Sequence, residues 1–225
     1  MFCRKTIYKN NKICYIYSGI EILNGEVEPN KIKLELGIPD TSKICLALGA
    51  FHRSKNFDKG HSFLLKCFKK VLNQIPTAHL LICGYGSEEN IQRVQHLVSD
   101  LQMKENVHLF GFRNDIHSLF RHIDILLISS QVFESFCLAN IEAMAHSVPV
   151  VATKVGAIPE VVIDGQGGYC VEKNDVDSYV ANIIKLLKND DLRIEQGKRG
   201  FQRYKDFFTG MRMSQEYSRL ICNGL

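Results

Sequence analysis

Two carboxylates carry the first suggestion of chemistry in this sequence. Glu134 and Glu142 lie eight positions apart in the stretch from Ser129 to Ala145. An ionised glutamate only accepts hydrogen bonds, so each can take both O–H groups of a vicinal diol. From Leu138 onward the stretch is rich in helix formers. The first turn of a helix offers unpaired N–H groups with partial positive charge, which suits phosphate. A diol, a diphosphate and a second diol, taken in order, describe a nucleotide sugar. Plainer readings stand beside this one: Glu134 as an acidic residue favouring a helix N-terminus, and Glu142 as a solvated helix carboxylate.

A second cluster lies in the polar loop between Phe51 and Gly60. Arg53 and Lys59 are placed there to neutralise two phosphates, and Gly49 and Gly60 would let the backbone come close to a ligand. Taken alone, the loop reads better as solvated surface; its place next to the Glu134–Glu142 loop in the same sheet favours the phosphate. Gly84 and Gly86 after another strand invite a dinucleotide reading, but the third glycine of that pattern falls on Glu89 and no phosphate loop with a Lys-Ser/Thr pair is present. A tight strand-to-helix turn accounts for them. The histidines show no ligand spacing, so no metal and no cofactor is expected. Ser129, Ser130 and Ser135 lack an evident base and a nucleophile elbow, which disfavours acyl chemistry.

These side chains need a scaffold, and hydrophobic patterning supplies one. Strands are predicted at Ile13–Tyr17, Lys43–Ala50, Ala78–Cys83, Val107–Phe110, Asp124–Ile128, Val148–Ala152 and Tyr169–Val171. Helices are predicted at Pro29–Leu36, around Phe63–Leu72, from about Glu88 to Leu101, and at Asp115–His122. Gly156 to Glu160 reads as a loop with one helical turn. Three more helices follow, marked by Val176–Leu187, Asp191–Phe207 and Thr209–Ile221. Strands alternating with helices predict an α/β fold, a doubly wound parallel Rossmann-like sheet with right-handed crossovers. The expected organisation is a basic segment over 1–12, one nucleotide-sugar-binding domain over 13–208, and a closing helix over 209–225.

The 225 residues carry a net charge of +4, too mild to argue for a nucleic-acid partner. A hydrophobic content of 45% and a charged content of 23% are those of an ordinary globular chain. The eight cysteines are scattered without a Cys-x-x-Cys pair, and Cys14, Cys45, Cys83 and Cys170 sit inside apolar runs as reduced thiols do. Neither a secretory leader nor an apolar run of about 18 residues is evident, so the expected location is cytoplasmic, with peripheral association at the inner membrane face left open.

The segment from Glu134 to Thr153 resembles the Glu-x7-Glu signature of retaining, GT-B-fold glycosyltransferases of family 4, the "glycosyltransferases group 1". The segment from Ile16 to Glu21 resembles that family's interdomain "N-G-I-D" element, with Ser18 in place of Asn. Leu48 to Ala50 followed by Asp58 to Gly60 resembles its phosphate loop, and Gly156 to Glu160 its "G-G-x-x-E" step. The resemblance covers about residues 13–220 and implies the C-terminal half of a GT-B fold. It further implies that Glu134 binds donor-sugar hydroxyls and that backbone amides of Phe136, Cys137 and Leu138 hold sugar and diphosphate. Glu142 would hold the ribose, Arg53 and Lys59 would stabilise the leaving diphosphate, and Phe112 and Arg113 would border the base. Cys137 stands where the family has glycine, and Ser147 where glycine is common.

The implied reaction is transfer of a sugar from a UDP- or GDP-linked donor to a saccharide or lipid-linked acceptor with retention of configuration. This chain would be the donor-binding half, and an N-terminal acceptor domain, in cis or in trans, would complete the enzyme. Its closing helix would then present an apolar face to that domain. The alternative from a different class is a non-catalytic nucleotide-sugar-binding subunit or degenerate paralogue, inactive by itself.

Overall fold

A computed structural model of the chain describes residues 15–22, 31–51 and 59–223. Its centre is a parallel sheet of six strands: β1 Lys43–Leu48, β2 Ala78–Cys83, β3 Val107–Phe110, β4 Ile125–Ile128, β5 Val150–Thr153 and β6 Gly168–Val171. Their order across the sheet is β3-β2-β1-β4-β5-β6, so the winding direction reverses between β1 and β4. Cys45 pairs with Ile125 and Leu46 with Leu126 across that reversal. β2, β4, β5 and β6 are buried along their whole length, which is why the sequence shows them as continuous apolar runs rather than alternating ones.

Helices cover both faces. One is covered by α2 His61–Leu72, α3 Glu88–Asp100 and α7 Val176–Lys188, whose Leu64, Phe68, Val94, Tyr179 and Ile183 form a core with Cys45, Leu80 and Val151. The other is covered by α1 Lys31–Leu36, α4 Ile116–Phe120, α5 Leu138–Ala145, α6 Ile158–Val161 and α8 Asp190–Phe207. There Ile32, Phe120, Ile141, Met144, Ile158 and Phe208 pack on Leu46, Leu81 and Val150. The last helix, α9 Gly210–Asn223, buries none of its described side chains and leaves Met211, Tyr217 and Ile221 exposed.

One expected strand is corrected. Residues 15–17, the described part of Ile13–Tyr17, form no strand; the segment makes a single bridge further on, between Ile20 and Thr209. Its apolar character serves side-chain packing instead. The Tyr17 ring lies 5.6 Å from Phe208 and 6.1 Å from Phe136, and the Tyr15 and Tyr17 hydroxyls donate to Glu160. Residues 13 and 14 lie outside the described residues.

Candidate functional site

The carboxyl ends of β1 and β4 flank the reversal of winding, the place where open α/β sheets leave a crevice. Each strand runs into a loop that carries expected site residues. After β1, the Gly49 amide donates to the Cys83 carbonyl at 3.0 Å and the Phe51 amide to the Tyr85 carbonyl at 2.8 Å, extending the sheet contact past both strands. This proximity explains Gly84 and Gly86. A Cβ at Gly84 would lie 1.9 Å from the Gly49 carbonyl oxygen, and one at Gly86 2.6 Å from the Phe51 Cβ. They are packing glycines of a tight turn.

The loop after β4 is held from three sides. Ser129 Oγ donates to the Lys59 carbonyl at 2.8 Å, and Thr153 Oγ1 donates to the Ser130 carbonyl at 2.5 Å. On the third side, the Ala157 amide donates to the Glu134 carbonyl at 2.9 Å. Gly156, at φ 54°, lies so close that a Cβ there would sit 1.9 Å from that same carbonyl oxygen. Glu134 is thereby fixed, only 8% exposed. Its Oε1 accepts from Ser130 Oγ and from Lys59 Nζ, each at 2.5 Å.

Cys137 follows at φ 64° as the N-cap of α5, and no side chain caps that end of the helix. The left-handed backbone that glycine adopts without strain is therefore retained here by a cysteine. Burial pushes its thiol up to about 12, so it stays protonated. Glu134, Lys59, Ser130 and Cys137 line one small depression.

A wider cleft adjoins it, with Leu48 lining both. Its walls include Gly49, Tyr85, Phe112, Arg113, His117 and Glu142. Glu142 sits half-buried on α5, and burial raises its carboxyl while the charge of His117 opposes the rise. Phe112 and Tyr85 are exposed at the rim, 73% and 64%.

The expected residues are thus sorted into two neighbouring sites. Glu134, Lys59 and Cys137 share the first; Glu142, Gly49, Phe112 and Arg113 share the second. Phe136 and Leu138 flank Cys137, with the Phe136 ring turned away into contact with Tyr17 and Phe208 and Leu138 opening α5. Arg53 lies outside the described residues.

Two of the expected residues also have partners within the protein. Gly60 (φ 74°) meets protein backbone, since a Cβ there would lie 1.8 Å from the Ser129 carbonyl oxygen; its close approach serves the loop. Arg113 is at the cleft, but its guanidinium is committed to Glu35 at 2.7 Å and to Asp115 at 2.8 Å, and it covers the Phe110 ring at 5.0 Å. These contacts hold the guanidinium in place at the cleft, where the sequence reading expects it.

Sequence reading missed Ser130, Gly156 and Thr153 as the supports of Glu134, and missed His117 and Tyr85 as cleft residues. The Ser-Ser pair at the end of a buried strand and the resemblance of Gly156 to Glu160 to a family motif were the local signals, and neither tied these residues to Glu134. Among the described residues no group of three or more histidine, cysteine or acidic side chains is arranged to hold a metal, and no helix is long and apolar enough to cross a membrane.

The architecture, a Rossmann-like parallel sheet covered on both faces, is that of the C-terminal domain of GT-B glycosyltransferases. More narrowly, the chain belongs to the family of glycosyl transferases group 1, whose model matches residues 29–203. It is 30% identical over 212 residues to an N-acetyl-alpha-D-glucosaminyl L-malate synthase of Bacillus anthracis, covering 94% of this chain and 54% of that protein. It is 33% identical over 171 residues to a D-inositol 3-phosphate glycosyltransferase of Corynebacterium jeikeium, covering 73% of this chain and 40% of the relative. The chain therefore spans about half the length of the curated relatives it matches.

Among solved structures, Anabaena Alr3699/HepE in complex with UDP superposes with a TM-score of 0.79 at 18% identity, over 88% of this chain and 54% of that one. The C-terminal domain of a glycosyl transferase group 1 family protein (LpcC) from Francisella tularensis matches with a TM-score of 0.69 at 22% identity, over 82% of this chain and 95% of that domain. At these identities the likeness establishes the fold.

Proposed function

We propose that this chain is the donor-binding half of a glycosyltransferase that moves a sugar from a UDP- or GDP-linked donor to a saccharide or lipid-linked acceptor with retention of configuration. The observation that carries the reading is the placement of Glu134 and Glu142 in two adjoining depressions at the winding reversal, with the uncapped start of α5 next to the first. A nucleotide sugar has the matching sequence of groups: sugar hydroxyls for Glu134, diphosphate for the α5 amides and Lys59, and ribose hydroxyls for Glu142.

In the transfer step, the bond between the anomeric carbon and the diphosphate oxygen breaks as the bond to the acceptor oxygen forms on the same face. The acceptor proton passes to the departing phosphate. Lys59 and Arg53 stabilise the charge that builds on the leaving diphosphate, and Glu134 fixes the sugar ring. Acceptor binding belongs to a further domain, in cis or in trans, to which the exposed apolar residues of α9 offer a surface.

Cys137 favours a second reading, a binding subunit without transfer, because its side chain stands in the depression meant for the diphosphate end. Calorimetric titration with UDP, GDP and their sugar conjugates tests the proposal. Binding of one nucleotide series, weakened at least tenfold by Glu142→Ala, is the expected result; no binding of any would overturn it. Release of nucleoside diphosphate in the presence of a saccharide acceptor and candidate partner domains separates transfer from mere binding.

A further inference from the structure

The wall of the wider cleft holds a histidine pair that the donor reading does not use. His117 is the second residue of α4, and His146 caps the end of α5, four positions beyond Glu142 on the same helix. His117 Nδ1 lies 3.2 Å from His146 Nε2. His146 is itself stacked on Phe120, with ring centroids 5.6 Å apart and planes 9° from parallel. One ring is thus pinned by a stack and a helix end, and it takes up Nδ1 of the other. The nitrogen His117 has left to offer is Nε2, and His117 lines the cleft together with Glu142.

The chemistry of a diol says what that nitrogen is for. Glu142, an acceptor only, can take the O–H protons of a ribose diol but cannot serve the oxygen lone pairs. An N–H donor beside it completes the set. Burial, with the charges of His117 and Arg121, lowers the pKa of His146 to about 4, so it is neutral near pH 7 and carries one ring proton. In the tautomer in which His146 donates from Nε2 to His117 Nδ1, the His117 proton resides on Nε2, the nitrogen left for the cleft.

We propose that His117 is a second nucleoside-recognition residue, donating from Nε2 to a ribose hydroxyl oxygen beside Glu142, with His146 as its positioning residue. This rests on the donor reading above and deepens it: the cleft selects a ribonucleotide through a glutamate and an imidazole acting on one diol. It also assigns His146 a purpose that stability alone does not supply, since a half-buried histidine with a depressed pKa is a poor core residue.

The test is calorimetric, on the whole chain, with the ribonucleoside diphosphate that binds the wild type and its 2′,3′-dideoxy analogue. His117→Ala is expected to weaken the ribonucleotide by ~10-fold, the worth of one hydrogen bond at the upper end of the usual range. His117→Gln, whose amide nitrogen falls near the place of Nε2, recovers most of that affinity. His146→Ala, with His117 present but unheld, falls between. For the dideoxy analogue the variants and the wild type converge.

A His117→Ala variant that binds both nucleotides as the wild type does, or loses the same factor for both, overturns the proposal. In that case wild-type binding still weakened by Glu142→Ala leaves the donor reading standing. Absence of wild-type binding to any nucleotide overturns both.

Discussion

Lys59 and Glu134 neutralise each other at the centre of the site: Nζ lies 2.5 Å from Oε1, with the lysine side chain 35% exposed and the glutamate 10%. The cation proposed for a diphosphate and the carboxylate proposed for a sugar are each other's partner. On the proposed donor reading, binding exchanges this pair for two ligand contacts, and the site meets its ligand without an unpaired buried charge.

The exchange predicts a dissociation between stability and binding. Lys59→Met leaves the buried Glu134 carboxylate with Ser130 alone and should cost about 1–3 kcal/mol, read as a lower urea midpoint at unchanged slope. Adding Glu134→Gln removes the stranded charge and should restore most of that loss. Nucleotide-sugar affinity should stay low in the double variant, because neither ligand contact has returned. Full recovery of both properties would show that the pair is only structural.

Ser147 gives a prediction confined to stability. It ends α5 at φ 58°, its amide donates to the Met144 carbonyl, and the following Val148 amide donates to the Ala143 carbonyl at 2.9 Å. That is the helix ending in which glycine is favoured, and Ser147 occupies it with a Cβ. Ser147→Gly should stabilise the fold by about 0.5–1 kcal/mol, since a left-handed residue with a side chain is strained. Nucleotide affinity should not move. A drop in melting temperature would mean that the serine side chain makes up for its backbone.

Much of this was readable from sequence, for reasons that differ by residue. β2 lies at its predicted bounds because a strand buried along its whole length is a nearly continuous apolar run, hard to mistake between turn residues. Glu134 and Glu142 were identified because their spacing is local. The order of the strands was not readable, and neither were contacts that span the chain. Glu35 and Arg113 are 78 positions apart, His117 and His146 29, and nothing in either neighbourhood announces the other. Tyr15 to Tyr17 misled because an apolar segment that only packs its rings looks the same as one that pairs its backbone.

Acid sensitivity follows from the histidines. His79, His108, His122 and His146 all have pKa values lowered from 6.5, with burial the largest cause in each, and His146 lies at about 4. The folded state thus disfavours their protonation. Their stabilising contribution is complete above pH 6.5 and is lost as pH falls toward the folded values. Glu142, whose carboxyl is raised by burial, works weakly in the opposite sense. With solvent screening allowed for, the half-buried His146 should account for about 1–2 kcal/mol of the loss by pH 4. Urea melts at pH 7.5 and pH 5 should show the drop, and His146→Leu should flatten part of it; an equal drop in that variant would exclude His146 as a source.

Cys137 decides between the two functional readings. It holds φ 64° at the start of α5, and its side chain lines the depression beside Lys59 and Glu134. Cys137→Gly relieves about 1 kcal/mol of backbone strain and gives up the packing of one buried sulfur of similar worth, so stability should change little. Affinity is where the two readings part. If the side chain obstructs the place of the diphosphate, the glycine variant should bind the nucleotide sugar several-fold more tightly, while binding of the free nucleoside through Glu142 stays the same. That outcome favours a binding module in which the cysteine has weakened the donor site. Unchanged affinity for both ligands means that the backbone alone forms this end of the site, and the cysteine is then compatible with transfer.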